Sequence, residues 1–531
     1  MPVYHTINMK SYIILLIFIS TPLINHCQEW IRTYGSNQNA SGYYVSNHYD
    51  KGFLVLGRYN NYHYTWVLKT DINGYERWNI KIGKSTYECA PKNVEMTIDG
   101  GFIIGGTITK YDPFQDDAYI MKFNACGQMD WCNVLNYYGQ HDMGESVKPT
   151  ADGGYVLLSL NYGEDPENHI RLFKFDSIGQ LIWQKVYTHD SLMFGDAVVS
   201  MFADNINFLI TGSCYYPNPG EPGGWLRPYY IQTDTSGNET WRLVFSENTG
   251  FGYVGEAWAT LRDNHGNYYS SGRRSGSPEL LKFSGDGLEM DTTDLFPGAI
   301  GGNATTISAL HDTILVLTAG WTYNGTTSYM GFIKTDTIGS ILKVKYLPNP
   351  DNSGIKWTTS TVDNKVIAVG TNWIGANSQI IAYKVNSALE YDSIYTRPYT
   401  YDSLCPDTIV SYTTDPDCDL VVGIEEPFND HETVKLKIYP NPAEDKIKVE
   451  FPKYLMKENK KNGLNITTIY HQWKSSSLEV FNLNGNKVFG QKIQQIQNSL
   501  EIGIASWPSG IYFFRLSYDG QVVAKQEIVV K

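Results

Sequence analysis

Two short motifs return about every fifty residues between positions 50 and 386, and self-similarity at such a period constrains the architecture more than any single residue does. The first motif is an Asp that opens a hairpin, at Asp50, Asp99, Asp152, Asp204, Asp263, Asp312 and Asp363. Its clearest copies are Asp99-Gly100-Gly101-Phe102 and Asp152-Gly153-Gly154-Tyr155, each leading into an apolar strand. The second motif follows roughly twenty residues later as Lys-x-Asp/Asn-x-x-Gly-x-x-x-Trp. It is complete at Lys69, Asp71, Gly74, Trp78, at Lys122, Asn124, Gly127, Trp131, and at Lys174, Asp176, Gly179, Trp183. A fourth copy has Gln232 for the lysine, with Asp234, Gly237 and Trp241. Lys282, Ser284, Gly287 and Lys334, Asp336, Gly339 keep the turn without the Trp, and Lys384 with Asn386 keeps only the start.

The residue types say why these motifs make hairpins. An Asp or Asn folds its side chain back onto its own turn, and a Gly three residues on accepts positive φ. The flanks alternate apolar and polar, as in Leu172-Phe173-Lys174-Phe175, which is the period of a strand. A further strand, such as Glu145 to Pro149, precedes each Asp, so one repeat holds four antiparallel strands. Seven such units predict an all-β chain: a seven-bladed β-propeller over residues 29–400, with each Trp packed between neighbouring repeats. Trp30 to Gly35 reads as the last strand of a blade, and is expected to complete blade seven in place of Leu389 to Tyr395. The repeated Asp, Gly and Trp are read as turn and packing residues. The spaced carboxylates of a calcium loop are missing, and no Cys/His spacing suits zinc, so no cofactor is expected.

Composition fits this reading, with 39 Tyr, 13 Trp and 21 Phe against only 18% charged residues. A net charge of −13 repels phosphate backbones and anionic lipid, which excludes nucleic acid as a partner. Residues 1–27 are expected to form a signal peptide: Lys10 precedes an apolar run, Tyr12 to Ile24, too short to be a transmembrane segment. Cleavage is expected near Cys27-Gln28, the alternative being Cys27 as a lipid acceptor, to which Asn25-His26 is a poor approach. Six further cysteines then meet an oxidising compartment. Cys405 with Cys418 is the expected disulfide, stapling a linker at 401–435, and Cys126 with Cys132 is a weaker candidate.

From residue 436 the chain changes character. It runs through Tyr439-Pro440-Asn441-Pro442, a turn at Gly485, Pro508-Ser509-Gly510-Ile511-Tyr512 and a terminal strand containing Lys525. The strand pattern is that of a small immunoglobulin-like β-sandwich. These motifs resemble the type A C-terminal sorting domain of type IX secretion cargo from the Bacteroidetes phylum, over 436–531 alone. The resemblance implies no catalysis in this domain. It implies recognition by the outer-membrane translocon, removal by a sortase-like peptidase, and a product that is secreted or held at the outer cell surface. An insertion from Lys453 to Ser477 departs from the pattern and is expected to lengthen a loop.

For the propeller itself no His-Glu-x-x-His, Gly-x-Ser-x-Gly or phosphate loop is present. The Asp-x-x-Gly-x-x-x-Trp spacing differs from the Asp box of sialidases and is nearer to the tryptophan-docking repeat of quinoprotein-like propellers, which denotes packing rather than a cofactor. The least repeat-like stretch, Cys214 to Trp225, carries Tyr215, Tyr216 and Trp225, side chains suited to stacking on sugars or anchoring a protein. A non-catalytic binding or adhesion module for a surface glycan or protein is therefore the expected function. The alternatives are a propeller hydrolase of glycosidase type and an inert structural coat.

Overall fold

The computed structural model describes residues 29–422 and 437–531, apart from short stretches at 112–113, 137–140, 163–168, 188–192, 205, 219–220, 246–254, 289, 349–352, 451–454, 462–463, 471–475, 484–485, 494–498 and 519–520. The expected signal peptide lies outside them. The chain divides into two compact units, Met1–Ile424 and Glu425–Lys531.

The first unit is a seven-bladed β-propeller. Blade one is Ser41–Asn47, Phe53–Tyr59, Tyr64–Thr70 and Glu76–Gly83, paired in that order, and the next five blades repeat this up-and-down sheet. The seventh takes Ser353–Ser360, Val366–Ile374 and Asn377–Val385 from one end of the chain and Ile31–Tyr34 from the other. Tyr34 pairs with Ile380 and Ile31 with Tyr383, so the N-terminal strand completes the last blade, as its sequence suggested. Trp30 supplies the tryptophan that the seventh repeat lacks. It is fully buried, donates Nε1 to the Ile72 carbonyl at 3.0 Å, and lies over Gly74. Trp131 does the same to the turn at Gly179, and Trp241 to that at Gly287. Each tryptophan thus packs on the turn glycine of the following repeat. At Gly74 and Gly179 a Cβ would sit 2.6 Å from that indole.

The two repeated motifs prove to be one unit. In blade three, Lys174 Nζ reaches Asp152 at 2.9 Å and the Phe175 carbonyl at 3.1 Å. Asp152 Oδ1 also accepts from the Gly154 amide at 3.1 Å. A Cβ on Gly154 would lie 2.3 Å from that ammonium, which is why the second glycine of Asp-Gly-Gly is needed. Blades one, two and seven repeat the pair as Asp50–Lys69, Asp99–Lys122 and Asp363–Lys384. In the second hairpin, Asp71 Oδ1 accepts from the amides of Asn73 and Tyr75 at 2.9 and 2.8 Å, and Asp176, Asp234, Asp336 and Asn386 close the same double-bonded turn.

The disulfide expectation is corrected. Cys405 pairs with Cys126 and Cys418 with Cys132, while Cys89 and Cys214 are buried and take no part in these bridges. Cys126 precedes the fourth strand of blade two, Met129–Asn136, and Cys132 lies within it; sequence distance alone could not match them with residues some 280 positions away. The stretch from 401 to 422 accordingly lies on the propeller. Asp402 accepts from Trp78 Nε1 at 3.1 Å, Tyr412–Thr414 runs parallel to the outer strand of blade one, and Asp419–Val422 runs parallel to that of blade two. Residues 423–435 of the expected linker, and residue 436, lie outside the described ones.

The second unit is the small β-sandwich. One sheet holds Lys437–Tyr439, Lys446–Glu450 and Ser499–Gly503; the other holds Lys487–Ile493, Ser476–Asn482, Gly510–Tyr518 and Gln521–Val530. Ile447, Val449, Leu478, Val480, Tyr512, Phe514 and Ile528 fill the space between them. Within the insertion, Leu455–Lys461 and Leu464–Tyr470 pair as a two-stranded hairpin.

Candidate functional site

The first strand of each blade is the innermost, and each described one is interrupted at the same level. Register shifts fall between Gly42 and Tyr44, Pro91 and Asn93, Gly144 and Ser146, Ala304 and Thr306, and Ile355 and Trp357. Crowding near the axis explains the small residues around them. A Cβ on Gly42 would lie 2.5 Å from the Gly370 carbonyl of blade seven, and one on Gly144 would lie 2.3 Å from the Gly106 carbonyl of blade two. The extra residue of each bulge is Tyr43, Lys92, Glu145, Thr305 and Lys356 in blades one, two, three, six and seven. A β-bulge re-aims one side chain out of the ladder, and repeated around a ring it produces a circle of such side chains.

Neighbouring members of the circle touch. Lys92 Nζ lies 2.9 and 3.0 Å from the two Glu145 oxygens. Burial raises the Glu145 carboxyl above its usual range, against the pull of Lys92. Arg58, on the second strand of blade one, stacks its guanidinium over Tyr43 at 4.5 Å and Tyr62 at 4.7 Å. Tyr62 belongs to the hairpin that joins strands two and three of blade one, where Asn60, Asn61 and Tyr62 take positive φ in succession. Just below the bulges, Tyr44 stacks on Trp357 at 4.3 Å and Lys148 pairs with Glu95.

In an up-and-down blade, strand one begins on the face where the hairpin between strands two and three turns. That face therefore gathers the bulges, Tyr62, and Tyr323 and Trp373, the last two 47% and 46% exposed. It also receives the longest hairpin of the propeller, Asn207–Asn218 with Glu221–Asp234, in which Tyr216 pairs with Trp225 and Tyr215 with Leu226 through the main chain. The sequence-predicted binding stretch is thus an extended hairpin rather than an irregular loop. The side chains of Tyr215, Tyr216 and Trp225 lie outside the described residues.

Sequence reasoning found that hairpin but missed the circle of bulges. The available signal was a small or cyclic residue (Gly42, Pro91, Gly144, Ala304) just before Tyr43, Lys92, Glu145 and Thr305, recurring with the repeat period in a strand that carries neither motif. Among the described residues no group of His, Cys, Asp and Glu is arranged to hold a metal ion.

In the second unit the separated sorting motifs converge. Asn441 Oδ1 accepts from the Val529 amide at 2.9 Å, and the Ala443 amide donates to the Val529 carbonyl at 2.8 Å. The same terminal strand pairs with Gly510, Ile511 and Tyr512, opposite Val530, Val529 and Ile528. Tyr512 is buried and donates its hydroxyl to the Pro508 carbonyl at 2.8 Å, whereas Tyr439, beside Pro440 and Pro442, is 42% exposed. Lys525 pairs with Arg515 through the main chain, its side chain and Gly485 lying outside the described residues.

Residues 437–531 match the family model described as a secretion system C-terminal sorting domain. The chain is thereby a type IX secretion cargo, sent to the cell surface or beyond, and no helix among the described residues is long and apolar enough to cross a membrane. No curated protein matches it. Among solved structures it is similar to a protein of unknown function from Bacteroides caccae, at 13% identity and a TM-score of 0.30 over 48% of this chain and 83% of that one. It is also similar to the GH93 alpha-L-arabinofuranosidase of Fusarium graminearum, at 10% identity and a TM-score of 0.41 over 58% and 94% of the two chains. The alpha-L-arabinanase of Penicillium chrysogenum shares 9% identity at a TM-score of 0.37, over 57% and 93%. These likenesses concern the fold and say nothing of what this chain binds.

Proposed function

We propose that the propeller is a non-catalytic binding module, delivered outside the cell to engage a surface glycan or protein. The observation that carries the reading is the concentration of recognition chemistry on one face. The inner bulges, exposed Tyr62, Tyr323 and Trp373, and the long blade-four hairpin all lie there, while 401–404 lie on the turns of the opposite face. Aromatic side chains with one polar end are the groups that stack on sugar rings and anchor protein partners. Export supports the same reading, with the translocon and the sortase-like peptidase as partners of the C-terminal domain.

The test is binding of the purified protein to host and neighbouring cell surfaces, and to glycan and extracellular-matrix arrays. Replacing Tyr215, Tyr216 and Trp225 together with Ala is expected to abolish a specific signal. Unchanged binding removes the hairpin from the site, and no specific signal on any surface overturns the module reading in favour of a structural coat. Release of reducing sugar from a bound glycan replaces it with a hydrolase.

A further inference from the structure

The cations at the mouth of the ring are unevenly matched. Lys92 is neutralised by Glu145, but among the described residues neither Arg58 nor Lys356 has a carboxylate partner. Arg58 is held between Tyr43 and Tyr62, and its Nε is buried without a hydrogen-bond acceptor. Lys356 is exposed to solvent, yet the surrounding protein, Arg58 and Lys92 together hold its ammonium pKa below the usual lysine value. In a chain of net charge −13, a guanidinium on the second strand of blade one and an ammonium on the first strand of blade seven, neither with a carboxylate partner among the described residues, place positive charge at the mouth of the ring. Two partly exposed aromatic side chains belong to the same face: Tyr62, which carries the guanidinium on its ring, and Trp373, whose ring is 3.7 Å from where a side chain on Gly354, two residues before Lys356, would begin.

We propose that this mouth binds an acidic saccharide, with Arg58 and Lys356 on its carboxylate or sulfate and Tyr62 or Trp373 against its ring. The inference rests on the binding-module reading and names its ligand class. A guanidinium whose face is already held by aromatic rings is pre-organised toward an oxyanion, and aromatic side chains on the same face as two cations suit the ring and the acid group of one sugar. Glu145 has a second role here, tempering the site by occupying Lys92.

Calorimetric titration of the full chain tests this with a uronic-acid oligosaccharide, its carboxyl-reduced neutral counterpart, a sulfated oligosaccharide and a poly-glutamate peptide. The acidic sugars are expected to bind at least about tenfold more tightly than the neutral one, because a charged hydrogen bond contributes enough for that ratio. Lys356→Met, at an exposed position that leaves the fold and melting temperature unchanged, is expected to lose about tenfold for the acidic sugars alone. Glu145→Gln, which frees Lys92, is expected to tighten them. Equal binding of acidic and neutral sugars, an unaltered affinity in Lys356→Met, or poly-glutamate binding as tightly as the saccharides overturns the assignment. If no saccharide binds while cell-surface binding persists, this inference fails and the module reading stands; if surface binding is also absent, both fail.

Discussion

The Asp–Lys pair recurs at matched positions in blades one and two, but its surroundings differ, so the same substitution should have different consequences. In blade one, the Lys69 and Asp50 side chains are 0% and 1% exposed and 2.8 Å apart. Asp50 is roofed by the Asp402 amide, which donates to its Oδ2 at 3.1 Å, and Tyr401 lies over the ammonium at 5.3 Å. In blade two, Lys122 is equally buried, but Asp99 is 52% exposed. Replacing Lys69 with Met strands a buried carboxylate without its cation, a loss of about 3–5 kcal/mol. Replacing Lys122 with Met lets Asp99 rehydrate. It forfeits a screened pair worth ~0–1 kcal/mol and one hydrogen bond of ~1 kcal/mol. Equilibrium urea unfolding of the full-length variants, followed by tryptophan fluorescence, should separate the two by about 1–4 kcal/mol. Combining Asp50→Asn with Lys69→Met should recover part of the single-variant loss, since neighbours in one buried pair are not additive. Equal losses in the two blades, or strict additivity in the blade-one cycle, refute the reasoning. The pH dependence follows from the same pair. Burial alone would raise the Asp50 carboxyl, but His48 and Lys69 hold it far below the usual carboxylate range. A carboxyl depressed on folding contributes stability above its unfolded value, about pH 4, and loses it as pH falls toward the folded value. Asp50→Asn should remove that part of the acid lability.

Four further outcomes are expected. Trp30→Ala removes a fully buried indole from the joint between blades seven and one, and should cost about 3–5 kcal/mol in thermal or urea unfolding. Peptide mapping without reductant should recover Cys126–Cys405 and Cys132–Cys418; recovery of Cys405 linked to Cys418 would refute this arrangement. Reducing both bonds should make residues 401–422 more open to proteolysis, because that segment is then held by edge pairing, hydrogen bonds and the packing of a few partly buried side chains such as Ile409, Tyr412 and Val421. Burial pushes the Cys89 thiol up to about 11, so it should resist alkylation at pH 8 until the protein is unfolded, as read by mass spectrometry.

Much of the fold was legible because its determinants are local. An Asp-x-x-Gly turn builds itself from four consecutive residues, and alternation assigns the strands on either side. The sorting motifs were equally legible, each being a short run of Pro, Gly and aromatic residues. Functional chemistry was less so. Tyr43, Lys92, Glu145 and Lys356 lie in strand sequence outside both motifs, and their one local mark is the small or cyclic residue before the first three, Gly42, Pro91 and Gly144. The misassigned disulfides share that cause, since Cys405 and Cys418 are near each other in the chain but each meets a cysteine of blade two.

By itself, then, the sequence determined the repeat, the four strands of each unit, the sevenfold count and the export address, all carried by patterns shorter than one hairpin. Only the tertiary structure decided that Trp30 packs on the turn of Gly74, that 401–422 lies against blades one and two, that Asp50 is sealed while Asp99 is open, and that the inner bulges face one another. Each of these depends on ring closure and on chain segments hundreds of residues apart, and the entropy of bringing such segments together is met by packing that no local pattern encodes.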